Sequence, residues 1–285
     1  MIRFLLLIFF SLTTIFSQEE LLDFLDDGPK EPLPVQATFK ATRIVNSQSV
    51  ELPRFKILEF MVQHRFGKVE NGFYDLFGLD EAAVHYDLKY GLHESLAFGL
   101  GRSSWKKTYD IMAKTKLMRQ MEGQGKTSPI TVVLFFNMGI NTLRKDAIVK
   151  DNFANRVHYL QQLIIGRKFN ERVSLQISPT WIHKNLVPTN QDEHNLFSTS
   201  LGGRIKVTKR YTVSADISFP LGSRPENYKN GWGLGFNIET GGHVFQLILT
   251  NAQGGYEGAY IEDAYGSLST GEVYLGFNIT RVFSI

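Results

Sequence analysis

Cysteine is absent from all 285 residues, which removes disulfides, zinc ribbons, thiolate catalysis and lipid anchoring through an N-terminal Cys. An excess of one charge sign is also missing. Lys and Arg total 31 against 28 Asp and Glu, for a net charge of +3. No concentrated basic run occurs, so the sequence carries no nucleic-acid footprint. Long hydrophobic runs are scarce, and the mean hydropathy of −0.14 is too low for a bundle of membrane helices. Yet 43% of the residues are hydrophobic, too many for a disordered chain. What remains is a folded protein with a large apolar surface to place and no helix to carry it across a membrane.

Met1 to Ser17 (MIRFLLLIFFSLTTIFS) has one charge, Arg3, then an unbroken apolar stretch from Phe4 to Phe10. Spanning a bilayer takes about 20 apolar residues, and Ser11, Thr13 and Thr14 interrupt a shorter one. Residues 1–17 therefore read as a secretory signal peptide, with Gln18 opening the mature chain. Residues 18–54 form an N-terminal extension. Glu19 to Asp27 (EELLDFLDD) is acidic with interleaved Leu and Phe, a candidate docking segment for a periplasmic partner. Pro29, Pro32 and Pro34 then forbid regular structure. Residues 37–54 are β-prone and polar, suiting a plug strand, a periplasmic hairpin or a tether.

From Phe55 the pattern changes to period two. In Val84-His85-Tyr86-Asp87-Leu88-Lys89-Tyr90, apolar and polar residues alternate, which a strand sorts onto two faces and a helix scatters. Twelve such segments follow, at 55–66, 81–91, 95–103, 108–120, 130–141, 155–168, 173–184, 196–207, 211–220, 231–239, 243–251 and 271–283. Most exceed the ~5–6 residues of soluble strands and suit the ~9–11 of a tilted bilayer-spanning strand. Tight connections such as Leu92–Glu94, Asn170–Arg172, Thr208–Arg210 and Thr240–Gly242 alternate with long ones such as Gly67–Asp80, Thr142–Ala154 and Ala252–Thr270, the short connection after segment three excepted. That asymmetry belongs to outer-membrane barrels. The expected fold is thus all-β, an antiparallel transmembrane β-barrel of about 12 strands over residues 55–285 with a short N-terminal periplasmic or plug segment. A secreted β-sandwich or soluble barrel is the alternative.

Faces such as Val132, Leu134, Phe136, Met138 and Ile140 should meet outer-membrane lipid, with Phe66, Tyr90, Phe169, Tyr211 and Phe219 as interfacial aromatics. The opposite face should crowd polar side chains and glycines into the lumen, as with Ser174, Gln176, Ser178 and Thr180. The last strand places Val273, Leu275, Phe277, Ile279, Phe283 and Ile285 on one face, and resembles the terminal strand by which the barrel-assembly machinery recognises its clients. Arg281 interrupts that face and is tolerable near the interface, where its stem can snorkel.

Five blocks, ATFKATRI (37–44), GRSSWKKTYD (101–110), PTWIHKNLVPT (179–189), IETGGHVFQL (238–247) and FNITRVF (277–283), resemble an uncharacterised family of exported β-barrel proteins from Bacteroidota. The resemblance runs from about Ala37 to the C-terminus. It implies an outer-membrane location and brings neither activity nor functional residues.

The residues themselves offer three candidates for chemistry. His93-Glu94-Ser95 is the close His/Ser pair, but it falls in a tight turn at the proposed periplasmic end, so catalytic residues are none and an outer-membrane lipid hydrolase ranks low. His85 with Asp87 offers two ligands on one strand face. With no third ligand visible the pair reads as a lumen hydrogen bond, and neither metal nor cofactor is expected. The charges on the polar face are the remaining candidates: Glu59, Arg65, His85, Asp87, Lys89, Asp110, Lys114, Lys116, Arg156, Lys184, Arg204, Lys206, Asp216, Glu239 and Glu272 should line the lumen as ion pairs or a selectivity path. Twelve strands lie between barrels filled by side chains and open channels. The leading expectation is a narrow or plugged pore for small polar solutes; the alternative is a non-conducting, partner-docking scaffold.

Overall fold

An isolated strand with one apolar face leaves its backbone groups unpaired, and closing the sheet on itself pairs them all. A computed structural model describes residues 31–124, 128–144, 152–187, 192–222, 224, 227–240 and 243–285. Residues 1–17, read above as a signal peptide, and the stretch Glu19–Asp27 lie outside the described residues. The strands are β1 (Ile57–Lys68), β2 (Ala82–His93), β3 (Leu96–Ser103), β4 (Thr108–Met118), β5 (Thr131–Asn141), β6 (Val157–Lys168), β7 (Val173–Lys184), β8 (Asn195–Lys206), β9 (Tyr211–Leu221), β10 (Trp232–Thr240), β11 (His243–Thr250) and β12 (Tyr274–Ser284). Each pairs antiparallel with the next, and β12 pairs with β1 to close the barrel. The boundaries fall within a few residues of those read from alternation, because burial switches sides at every residue wherever one face is covered.

The tight turns gather at one end of the barrel, the turn end. Residue 55 and the C-terminus are there too, where the Ile285 N–H donates to the Lys56 carbonyl at 3.1 Å. The long connections gather at the opposite, loop end. The short exception between β3 and β4 bends through Lys106 and Lys107, both in the left-handed region at φ 49° and 48°.

Outward positions are exposed and apolar around the circumference: Phe98 and Leu100 on β3, Leu175 and Ile177 on β7, Leu234 and Phe236 on β10. Outward cations near the strand ends lie over aromatic rings. Arg102 sits 4.6 Å from the Tyr109 ring centre, Arg167 5.0 Å from Phe169 and Arg281 4.9 Å from Phe283. Arg281 thus keeps its place on an apolar face by stacking its guanidinium on a neighbouring ring.

The interior departs from expectation in one sector. Polar residues were expected throughout, but from β4 to β7 the inner wall carries Met112, Val133, Phe135, Leu160, Ile164 and Ile182, all buried. On β5 both faces are apolar and alternation is lost. The reason is that chain, rather than water, occupies the lumen. Residues 38–50 are inside, and their Phe39, Ile44, Val45 and Val50 join that wall in one buried cluster. The segment runs in and turns back on itself, with the Ile44 N–H donating to the Ser47 carbonyl and the Ser49 N–H to the Thr42 carbonyl, both at 2.9 Å. Glycines admit it: a Cβ on Gly166 would press on Val50, and one on Gly202 on Ile44.

Candidate functional site: a lumen filled from both ends

The plug, residues 33–54, is anchored at the turn end. Leu33–Pro34 pairs with Met121–Glu122 in the connection after β4. The Val35 N–H donates to the Gln120 carbonyl at 2.9 Å. Deeper in, buried polar side chains of the barrel meet the plug backbone. Arg204 donates to the Ala37 carbonyl at 2.6 Å, Gln176 to the Gln48 carbonyl at 2.7 Å and Asn278 to the Val45 carbonyl at 3.2 Å. The tip is caught by one carboxylate. Asp216 Oδ2 accepts from the backbone N–H groups of Val45 (3.2 Å), Asn46 (2.8 Å) and Ser47 (2.8 Å), and from the Ser47 hydroxyl (2.8 Å). Successive N–H groups of a turn form an anion-binding nest, here filled by a side chain of the wall.

A second segment enters from the loop end. Between β11 and β12 the chain turns inward through helix α1 (Glu257–Ile261), whose five residues are all buried. Tyr256 and Tyr260 lie inside with it. Asp263 pairs with Lys106 at 2.6 Å, Glu262 pairs with Lys184, and Arg224 donates to the carbonyls of Ile261 and Glu262. Burial pushes the Glu262 carboxyl above its ordinary pKa, Asp263 adds to the shift, and Lys184 and Lys106 oppose it.

Plug and inward loop meet at Arg43. Its guanidinium contacts Glu257 Oε1 at 2.7 Å, Asp87 Oδ2 at 3.3 Å and the Asn46 carbonyl at 2.6 Å. Burial opposes its charge, but Glu257, Asp87 and Asp110 outweigh that and hold the guanidinium above its ordinary pKa. Gln48 also donates to Glu257, at 2.8 Å. Around them, Lys89 reaches Glu59 (3.3 Å), Asp87 (3.1 Å) and Thr42 (3.1 Å), and Thr42 donates to Glu59 at 2.5 Å. Lys114 donates to Gln48 Oε1 at 3.3 Å and to the Glu51 carbonyl at 2.7 Å.

The charges singled out in the sequence therefore meet protein. Glu59, Arg65, Asp87, Lys89, Lys114, Arg204 and Asp216 are buried and bond to the plug. Glu239 pairs with Lys40 of the plug, and His85 and Asp110 lie beside Asp87. Lys116 and Lys206 are half-buried toward the turn end, while Lys184 holds the inward loop. Two candidates stand elsewhere. Arg156 is in a short turn before β6 and donates to the carbonyls of Asn141 (3.1 Å) and Leu143 (2.8 Å). Glu272 precedes β12 and pairs with Lys68 at 2.9 Å on the loop-end rim. Period-two counting carried past the true strand end at both, and Arg156 borders the loop-end cavity from its turn instead of from a strand. In the His93–Ser95 turn, His93 Nδ1 accepts the Ser95 backbone N–H at 3.2 Å, which is turn geometry and not a nucleophile–base contact.

Space remains at both mouths. A cavity of about 430 Å³ lies at the turn end between the plug, Lys116, Arg119 and Glu94. Another of about 210 Å³ lies at the loop end between Lys106, Thr108, His158, Lys184 and Tyr256.

The family described as "Membrane bound beta barrel domain (DUF5777)" matches residues 39–283. Among solved structures, a KdgM porin aligns over 79% of this chain and 99% of its own, at 7% identity and a TM-score of 0.47. A NanC porin aligns over 80% and 99%, at 11% identity and a TM-score of 0.48. The Acinetobacter baumannii outer membrane protein Omp33 aligns over 82% and 100%, at 7% identity and a TM-score of 0.42.

Proposed function

The chain belongs to the DUF5777 family of membrane-bound β-barrel domains, and from that premise we propose that it is an outer-membrane transport-type barrel closed by its own N-terminal plug. The observation that carries this reading is the chemistry of the plug contact. Most of the contacts that position residues 37–50 are hydrogen bonds and ion pairs to strand side chains, with one apolar patch against β4 to β7. A purely structural core does not need so many buried charges, since apolar side chains of similar volume fill space at no desolvation cost. Polar contacts can instead be exchanged for water or for a polar solute when the plug shifts. The turn end then faces the periplasm, as short turns do in such barrels. Residues 1–17 direct export, β12 addresses the assembly machinery, and Glu19–Asp27 offers a periplasmic partner a handle on the plug.

The filled lumen also suits a second reading, a non-conducting scaffold, because the Arg43–Glu257 junction is fully buried. Bilayer recordings separate the two. The full chain should conduct weakly or not at all, and deletion of residues 18–54 should give stepwise conductance. Silence in both, with the deletion variant shown to be folded, leaves the scaffold.

A further inference from the structure

His85, Asp87 and Asp110 come together at the junction of plug, inward loop and barrel wall. We propose that they bind one divalent transition-metal ion of the zinc or cobalt type, through His85 Nε2, Asp87 Oδ1 and Asp110 Oδ2. One ligand atom from each residue lies within 4.8 Å of the others, and all three residues are buried. Ligands on a tetrahedral zinc ion stand about 3.3 Å apart, from metal–ligand bonds of ~2.0–2.1 Å. Here His85 Nε2 is 2.7 Å from Asp87 Oδ1 and 3.8 Å from Asp110 Oδ2, so shifts of about half an ångström bring each carboxylate oxygen to ligand spacing from the imidazole nitrogen.

Four observations point to a ligand. First, Asp110 Oδ2 is buried and has no hydrogen-bond partner among the described residues. A buried carboxylate oxygen left bare is costly. Second, the outer oxygens are already held. Asp87 Oδ2 accepts from Arg43, Lys89 and Gln63, and Asp110 Oδ1 accepts from Asn137 at 3.1 Å. The other two oxygens face His85: Asp87 Oδ1 is hydrogen-bonded to Nε2 at 2.7 Å, a contact the ion would replace, and Asp110 Oδ2 is bare, the arrangement by which outer partners aim metal ligands. Third, β3 lies between the two carboxylates and contributes Gly101, which stands opposite both Asp87 and Asp110 in the ladder. A Cβ there would overlap the Asp110 carboxylate, so the space into which Asp110 leans exists because the residue is glycine. Fourth, four carboxylates, Glu59, Asp87, Asp110 and Glu257, gather at this junction beside Arg43, Lys89 and Lys114, so the site offers a cation acidic neighbours.

One imidazole and two carboxylates, without sulfur, suit the borderline divalent ions rather than copper(I) or calcium. The way in is from the loop-end cavity. Thr108, one step along the inner face of β4 from Asp110, lines it together with His158 and Tyr256. The Tyr256 ring lies 6.2 Å from the His158 ring and 6.1 Å from that of His85. A bound ion would tie Asp87 more firmly and, through Arg43, join the plug to Glu257 of the inward loop. The site stands whether or not the barrel conducts.

The test uses the full chain folded in detergent micelles, stripped with a chelator and titrated with Co²⁺, with Zn²⁺ in parallel. The expected result is about one ion retained per chain after desalting, a visible cobalt band of nitrogen–oxygen type and a higher melting temperature with Zn²⁺. His85→Gln and Asp110→Asn should each weaken binding at least ~10-fold, the scale seen when a site's supporting groups are lost. His93→Gln, in an exposed turn, should leave it unchanged. Retention of no ion by the folded wild-type chain overturns the proposal. Binding undiminished in folded Asp110→Asn overturns it too. Should the variants not fold, the wild-type cobalt spectrum and stoichiometry decide alone.

Discussion

Asp216 holds the plug tip with a single carboxylate oxygen that accepts three backbone N–H groups and one hydroxyl. Asp216→Ala leaves those buried donors without an acceptor, at a cost of about 1–3 kcal/mol for each unsatisfied group. The expected outcome is amide exchange at Val45, Asn46 and Ser47 faster by at least about tenfold, with the strand amides unchanged, read by hydrogen–deuterium exchange. Equal protection in the variant would mean that the tip is held by packing against Ile44 and Val45 instead. Lys107 stands in the left-handed region at φ 48°. Such a conformation costs an L side chain about 1–2 kcal/mol, so Lys107→Gly should raise the unfolding midpoint in denaturant.

At the scale of elements, the inward loop has a pH dependence whose sign follows from Glu262. Burial and Asp263 push this carboxyl upward, with Lys184 and Lys106 opposing and Arg224 bonded to its carbonyl. The inward state therefore holds a proton more tightly than a loop released to solvent, where the group has its ordinary pKa. Linkage then requires the inward loop to gain stability as pH falls through the raised value toward the ordinary one. Amide protection over 256–263, taken relative to the intrinsic exchange rate at each pH, should rise on acidification in that window, and Glu262→Gln should remove the effect. Lower protection at lower pH would show that the Lys184 ion pair, and not the desolvation of Glu262, controls the loop.

For the whole molecule, the decisive contrast is between an apolar outside and a filled inside. Leu100 is 58% exposed and lies between Leu88 and Ile111 at mid-height on the outer face. Leu100→Arg should cost about 2–4 kcal/mol of folding stability in a bilayer, and the same change at Phe169 near the rim about 0–1. Folding titrations into lipid vesicles measure both. Equal costs at the two depths would place hydrocarbon elsewhere than on this face.

Barrel class, strand number and strand limits were legible in the sequence because period-two alternation needs only local information: each residue on a strand faces the side opposite to its neighbour. The segment 173–184 was read to the residue for that reason. Where alternation failed, at Val133 and Phe135, the cause was remote, a plug more than 80 residues away in the chain. No local pattern reports which distant segment covers a face. The β-prone run 37–54 could be read as plug, hairpin or tether, and its burial in the lumen is a fact of the tertiary structure alone. The same holds at the junction. His85 and Asp87 are visible as an i, i+2 pair, but Asp110 joins them across β3 only because Gly101 leaves the gap open, and Glu257 meets Arg43 from 214 residues away. The wall was written in the order of the residues, whereas what stands inside it was decided by closure of the sheet, which brought residues 38–50 and the loop around 256–263 into one enclosed volume.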